Sequence, residues 1–256
     1  MRWLVTLLVV LTGCDVATET VEESSMAIRG RLVRGALLRP SWGYSVGRDI
    51  DAGRIMCMGD SLTMGANTPS HDGWRRAFHI GLITAGVRHT MTGAMLAEGT
   101  MTTPDGLHEG HPSHNIAMLT ALVPGILAAH PADIVMLHIG TVDVAEAATA
   151  ADMLVDLGDC LDAIHAAGAP RIVLQQIIPQ GPPSGGNNQI VIDYNAGMPA
   201  LVATKRASGI KIVLVDQYTG VVIGDHSTDG VHVTDEALSN QMGMRNVQGV
   251  IAVMGL

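Results

Sequence analysis

The sequence predicts a three-layer α/β/α sandwich built on a parallel sheet of about five strands, and three observations predict it. Short apolar runs recur at Ile55–Met58, Val87–Met91, Ile134–Ile139, Ile172–Ile178 and Ile212–Val215. The last three are nearly unbroken, as strands of a parallel sheet covered on both faces must be. Stretches with helical spacing fall between the runs, and strand–helix alternation builds a parallel sheet with helices on both sides. With 256 residues, 47% of them hydrophobic and 15% charged, the chain can form one large domain and has no disordered composition.

The N-terminus comes before this rhythm. Arg2 and the terminal amine precede an apolar run, Trp3–Leu11, that is too short to span a bilayer. Leu11-Thr12-Gly13-Cys14 resembles the lipobox of bacterial lipoproteins. That resemblance implies a signal peptide over 1–13, cleavage before Cys14 and lipidation of that cysteine, which places the protein outside the cytoplasm on the cell envelope. An ordinary secretory signal or an apolar N-terminal helix is the alternative. Residues 14–51 carry Glu19, Glu22 and Glu23, then Arg29, Arg31, Arg34 and Arg39, without a clear period. They read as a tether and lead-in, which leaves 52–256 as the folded domain.

In that domain, Ile55–Met58 is the first strand, broken by Gly59. Asp72 is placed to cap a helix from Gly73 to Ala85, ended by Gly86. Asn115–His130 is apolar and interrupted by Pro124-Gly125. Met153, Leu154, Leu157, Leu161 and Ile164 give Ala148–Ala167 a helical stripe. Ile190–Ala207 is closed by Gly209, and Thr234 is placed to cap a last helix. Gln180–Asn188 reads as a Pro/Gly/Asn loop with no core of its own. Cys57 and Cys160 fall in a strand and a helix, as buried small hydrophobes outside any disulfide framework. Scarce aromatics, at 3%, leave 15 methionines to fill part of the core. A net charge of −9 argues against nucleic acid or an anionic membrane surface as partner. The membrane is then met only through the anchor at Cys14.

The chemistry concentrates at strand ends. Ser61 follows Gly59-Asp60 where the first strand turns toward a helix, and ligands of open parallel sheets bind at that edge. Gly-Asp-Ser alone is equally a turn. Asp229-Gly230-Val231-His232 gives it weight by adding a base and an orienting acid three residues apart. Ser61 is a nucleophile, His232 the base that takes its proton, and Asp229 the acceptor that sets the imidazole tautomer. The Gly-x-Ser-x-Gly elbow is absent.

Gly59-Asp60-Ser61-Leu62-Thr63, Gly140-Thr141-Val142-Asp143 and Asp229-Gly230-Val231-His232 resemble, in order and spacing, the GDSL-type (SGNH) hydrolases. Gly73-Trp74-Arg75-Arg76, His108-Glu109-Gly110-His111-Pro112, Leu137-His138-Ile139-Gly140-Thr141 and Gln176-Ile177-Ile178-Pro179 resemble carbohydrate esterase family three, the acetyl xylan esterases. The resemblance implies a flavodoxin-like sheet, no cofactor, and removal of acetyl or short acyl groups from carbohydrate through an acyl-serine. Two other functions stay open: a carbohydrate-binding protein that has lost catalysis, and a lipid or aryl ester hydrolase.

The family's oxyanion hole has three donors: the serine N–H, a glycine N–H and an asparagine amide. The asparagine position is Val142 here, which has no side-chain donor, and the glycine position is Ser113, whose Cβ resists positive φ. Asn115 offers a compensating amide, or caps the following helix. Trp74 offers a ring for stacking on a sugar, or packs in the core. Arg75 and Arg76 read as helix surface. The histidines of 108–114 lack metal-site spacing, and Pro112 would break the helix such a site needs, so no metal is expected.

Overall fold

A computed structural model describes residues 50–255 apart from 97, 98, 103, 183, 185 and 186. The expected signal segment 1–13, Cys14 and the expected tether to residue 49 lie outside the described residues. The chain divides into Met1–Tyr44 and Ser45–Leu256, and the described residues belong to the second unit.

The central strand β1 (Ile50–Gly59) pairs in parallel with β5 (Ile134–His138) along one edge. Its other edge is shared by β2 (Val87–Met91), beside its first half, and β4 (Leu107–Gly110), beside Met58 and Gly59. Then β5 pairs with β6 (Arg171–Gln175) and β6 with β7 (Lys211–Val215), all in parallel. The two-residue strand β3 (Met95–Leu96) adds an antiparallel edge to β4. The five expected strands thus stand in the order β2-β1-β5-β6-β7, the flavodoxin-like order, and β3 and β4 are additions. Their sequences, Met95-Leu96 and Leu107-His108-Glu109-Gly110, are too short or too polar to signal a strand. β6 ends earlier than its apolar run, because Asn195 Oδ1 takes the Ile177 N–H at 3.1 Å and draws the chain off the sheet.

Among the described residues seven α-helices flank the sheet. They are α1 (Ser61–Met64), α2 (Trp74–Thr84), α3 (Ile116–Ala129), α4 (Thr141–Ala145), α5 (Ala150–Ala166), α6 (Asn188–Ala207) and α7 (Glu236–Met254). Alternate residues of each strand face opposite layers. Ile55 and Cys57 join Phe78 and Leu82 of α2 and Met242, Val247 and Val250 of α7. Met56 and Met58 join Leu119 and Val123 of α3, Leu157 and Leu161 of α5 and Tyr194 and Met198 of α6. Burying each such side chain contributes about 1.5–3 kcal/mol. No helix of the described residues is long and apolar enough to cross a membrane.

Several local expectations change. α3 runs unbroken through Pro124, which is exposed. Asp72 does not cap α2: it is buried and accepts from Thr100 N at 2.9 Å, Met101 N at 3.2 Å and the Thr100 hydroxyl. The last helix is capped by Asp235, which accepts from Leu238 N at 2.9 Å, and Thr234 instead donates its N–H to His226 O. Cys57 and Cys160 are buried and free, and burial pushes their thiols up to about 12 and about 11.

Candidate active site

Ser61 is the first residue of α1, at the carboxyl end of β1. Asp60, fully buried, caps the turn by accepting from Leu62 N at 2.9 Å. Two glycines permit the close packing here. A Cβ on Gly59 would stand 2.0 Å from His138 O, and one on Gly110 would stand 2.4 Å from Met64 N. A one-turn helix leaves its last carbonyls without helical partners. Arg75 of α2 supplies donors: Nε donates to Thr63 O at 2.7 Å, Nη2 to Met64 O at 2.9 Å and Nη1 to Gly106 O at 3.2 Å. Arg75 is therefore completely buried, not on the helix surface as its sequence position suggested. Burial lowers its pKa. Arg76 is exposed as expected.

Trp74 is also not where a sugar platform would be. It is 1% exposed and packs edge-on against Phe78, with ring centroids 5.9 Å apart. The helix that opens with Trp-Arg turns both residues inward.

The base loop follows β7 and a single 3-10 turn, Ile223–Asp225. Its ends meet where His226 Nδ1 donates to Asp235 Oδ2 at 2.5 Å. Inside it, Asp229 Oδ1 accepts from Val231 N at 2.9 Å, His232 N at 2.7 Å and Ser227 Oγ at 3.0 Å. His232 Nδ1 donates to Asp229 Oδ2 at 2.7 Å, which leaves Nε2 as the acceptor for the Ser61 hydroxyl at 2.8 Å. Burial pushes the Asp229 pKa up, but the donors of His232 and Val231 outweigh it and hold the carboxyl well below the usual range. Ser61, His232 and Asp229 thus form one hydrogen-bonded chain across 171 residues of sequence.

Val142 is the second residue of α4, at the carboxyl end of β5, next to β1. Its half-buried side chain offers no donor. Ser113 lies in the turn after β4, where His111 N donates to Gly59 O at 2.7 Å. Contrary to the expectation from its Cβ, Ser113 adopts φ +62°. That left-handed conformation costs a non-glycine residue about 1–2 kcal/mol. Asn115 is committed elsewhere. Its Oδ1 accepts from Met118 N at 2.9 Å, capping α3, and its Nδ2 donates to Glu146 Oε2 at 3.0 Å. Asp143, the neighbour of Val142, accepts from Ile116 N at 3.2 Å and so ties α4 to the start of α3. Its burial pushes its pKa up to about 6 against that backbone donor.

The loop 180–188 does have an anchorage. Gln180 is buried and donates Nε2 to Thr141 O at 2.8 Å, and Gly181 N donates to Gly230 O at 3.0 Å in the base loop. In the histidine-rich stretch, Gly110 N donates to His108 Nδ1 at 2.9 Å and His111 Nε2 to Glu109 Oε2 at 2.9 Å. Burial, with the charges of Arg75 and His111, pushes His108 down to about 3. Among the described residues no group of three or more His, Cys, Asp or Glu side chains is arranged to hold a metal ion. Sequence reasoning missed Arg75, Asp143 and Asn67, which donates Nδ2 to Asp229 Oδ2 at 3.0 Å. The Gly-Ala-Asn-Thr run after Ser61 was the only hint of the last.

A family model described as "GDSL-like Lipase/Acylhydrolase family" matches residues 57–238. Three solved structures are similar in fold. A family 3 carbohydrate esterase from Clostridium thermocellum matches with a TM-score of 0.68 at 23% identity, over 79% of this chain and 96% of that one. A carbohydrate esterase family 3 protein from Talaromyces cellulolyticus matches at 0.67 and 20%, over 79% and 98%. A mutant acetyl esterase with an acetate ion matches at 0.66 and 20%, also over 79% and 98%. No curated protein matches the sequence.

Proposed function

Because the chain belongs to the GDSL-like lipase/acylhydrolase family and is a carboxylic ester hydrolase, we propose that it deacylates carbohydrate, removing acetyl or other short acyl groups through an acyl-serine. The hydrogen-bonded chain Ser61–His232–Asp229, with links of 2.8 and 2.7 Å, is the observation that carries this reading. Ser61 Oγ attacks the acyl carbon as His232 Nε2 takes its proton. The tetrahedral intermediate collapses when the imidazolium returns that proton to the leaving alcohol. Water, deprotonated by His232, then attacks the acyl-serine and releases the acid. Asp229 stays ionised throughout and stabilises the imidazolium. The negative oxygen is met by the backbone N–H groups of Ser61 and Ser113. Ser113 already has the left-handed backbone that the family's glycine would supply.

The substrate class rests on the His108–Pro112 stretch and on the fold shared with family 3 carbohydrate esterases. Trp74 and Arg75 add nothing to it, because both are buried. The enzyme is slow, since Val142 removes one of three donors. The test compares chromogenic acetate and octanoate esters in the wild type and in Ser61→Ala. Acetate is hydrolysed faster, with discrimination of at most roughly 10- to 200-fold per methylene, and Ser61→Ala loses nearly all turnover. Faster octanoate hydrolysis redirects the assignment to lipid esters, and wild-type turnover by Ser61→Ala ends it.

The resemblance of Leu11–Cys14 to a lipobox supports an activity held on the cell envelope, with Cys14 lipidated. Cys14→Ala is expected to move from the membrane to the soluble fraction of a bacterial host. Unchanged partitioning removes the anchor.

A further inference from the structure

Asp229 is held by donors of two kinds. Among the described residues five hydrogen bonds reach its carboxylate. Four come from Ser227, Val231 and His232, all within three residues of it. The fifth comes from Asn67, 162 positions away, whose Nδ2 donates to Oδ2 at 3.0 Å. That is the oxygen which also accepts from His232 Nδ1.

Asn67 lies on the loop that leaves the nucleophile turn. This loop is stiff. Gly65 N and Ala66 N both donate to Ser61 O at 3.0 Å, Thr68 Oγ1 donates to Gly65 O at 2.7 Å, and Gly73 N donates to Thr68 Oγ1 at 3.1 Å. Asn67 itself has φ +64°. Asparagine tolerates that backbone better than most residues and carries an amide as well. Glycine has the freedom without the donor. A second strut runs in parallel: Ser70 N donates to Glu236 Oε1 at 2.9 Å, joining the same loop to the first turn of α7.

Resting on the reading of Ser61, His232 and Asp229 as the hydrolytic machinery, we propose that Asn67 is a positioning residue, which locks Asp229 Oδ2 in the orientation that presents His232 to Ser61. The four local bonds shape the base loop, and the Gly181 N–H to Gly230 O bond ties it to the loop 180–188, but none of these reaches the nucleophile turn. The Asn67 bond makes that tie, because its donor rides on the backbone that follows Ser61. It also draws negative charge from the oxygen that faces the imidazole. Of the other charged groups near the base loop, His226 pairs with Asp235 and Glu236 accepts from Ser70 N, while Asp225 ends the 3-10 turn before it.

Two variants separate positioning from mere packing. Asn67→Gly keeps the left-handed backbone and deletes the donor. Asn67→Asp keeps size and backbone tolerance but puts a carboxylate where the amide was. Asn67→Gly is expected to lower kcat about 10-fold with KM nearly unchanged, as loss of an outer hydrogen bond to an orienting group does. Asn67→Asp is expected to move the acid limb of the kcat/KM profile up by about half to one pH unit, since an added negative charge at this distance favours the imidazolium. Proton NMR of the His232 Nδ1–H reads the same geometry without turnover, and this resonance shifts or broadens in both variants. Unchanged kcat, pH profile and Nδ1–H resonance in both variants overturn the inference, and do so whether or not Ser61→Ala is inactive. So does a drop in melting temperature without a change in profile or resonance, which would mark Asn67 as only structural. If the wild type hydrolyses no ester, the functional reading falls, and the resonance alone decides the role of Asn67.

Discussion

The two halves of the candidate site are built in opposite ways. The nucleophile side is a buried scaffold: Asp60 and Arg75 are completely inaccessible, and three guanidinium bonds hold a single helical turn against the sheet. The base side is a surface loop whose Asp229 is 40% exposed at its side chain and whose order comes mainly from bonds among residues 227–232. The contrast suggests a division of labour. Nucleophile placement depends on the whole fold, so damage there costs stability. Base placement depends on a few polar contacts at the surface, so damage there costs rate.

Two substitutions can break that comparison. Asp229→Asn is expected to lower kcat by about 10⁴-fold, because an amide oriented to keep the backbone donors places the wrong His232 tautomer toward Ser61. Its melting temperature should stay within a few degrees of wild type. Arg75→Met does the reverse. It leaves the carbonyls of Thr63, Met64 and Gly106 unpaired in the interior, at a cost of about 3–5 kcal/mol, or roughly 10 °C in Tm. Calorimetry and acetate-ester kinetics on both proteins decide it. If Asp229→Asn unfolds early, or Arg75→Met melts with wild type, the division fails.

A third region, around Val142 and Ser113, sharpens the comparison because Val142 has no side-chain donor. On the proposed oxyanion reading, Val142→Asn places an amide in the first turn of α4 and is expected to raise kcat by about 10²–10³, or roughly 2.7–4 kcal/mol, with little change in KM. Ser113→Gly adds less than Asn at 142, since Ser113 already has φ +62°. If both variants and the wild type are folded yet inert, the carbohydrate-binding reading replaces the enzymatic one.

The smallest effect concerns Asp143, which ties the oxyanion side to α3. Its pKa is raised to about 6 in the folded state, above the ordinary carboxylate value. The folded protein therefore binds more protons than the unfolded chain between about pH 4 and 6. Its contribution to stability is complete below about pH 4 and is lost as pH rises through about 6. Asp143→Asn keeps an acceptor for Ile116 N and removes the titration. Above about pH 6 it should be more stable than wild type by about 1–3 kcal/mol, and below about pH 4 the two should converge. A denaturation series across pH that shows parallel curves refutes this.

The legible part of the molecule was the part written in local pattern. The five core strands lie where the apolar runs lie, because a strand covered on both faces can carry little else. The helices fall between them, with one error at an end and one inside: Asp235 rather than Thr234 caps α7, and Pro124 leaves α3 unbroken. Ser61, Asp229 and His232 were legible because their types and spacing carry chemistry. β3 and β4 were not, because such short, polar strands exist only through pairing with neighbours already in place.

By itself the sequence determined the layer order and the residues that meet at the sheet's carboxyl edge. The first follows from periodicity and the second from the chemistry of Ser61, Asp229 and His232. Tertiary structure alone decided which side of each residue is used. Arg75 read as helix surface and is buried, since α1 needs donors that only its neighbour α2 can extend, and of the two readings open to Trp74 the core one holds. Of the two roles open to Asn115, a compensating amide or a helix cap, the fold selects the cap on Met118 N and commits the amide nitrogen to Glu146. Asn67 gave no signal beyond its Gly-Ala-Asn-Thr run, because its partner is 162 residues away and one amide on a turn has no period. Polar contacts across such separations are set by where the sheet brings loops together, which no local pattern encodes.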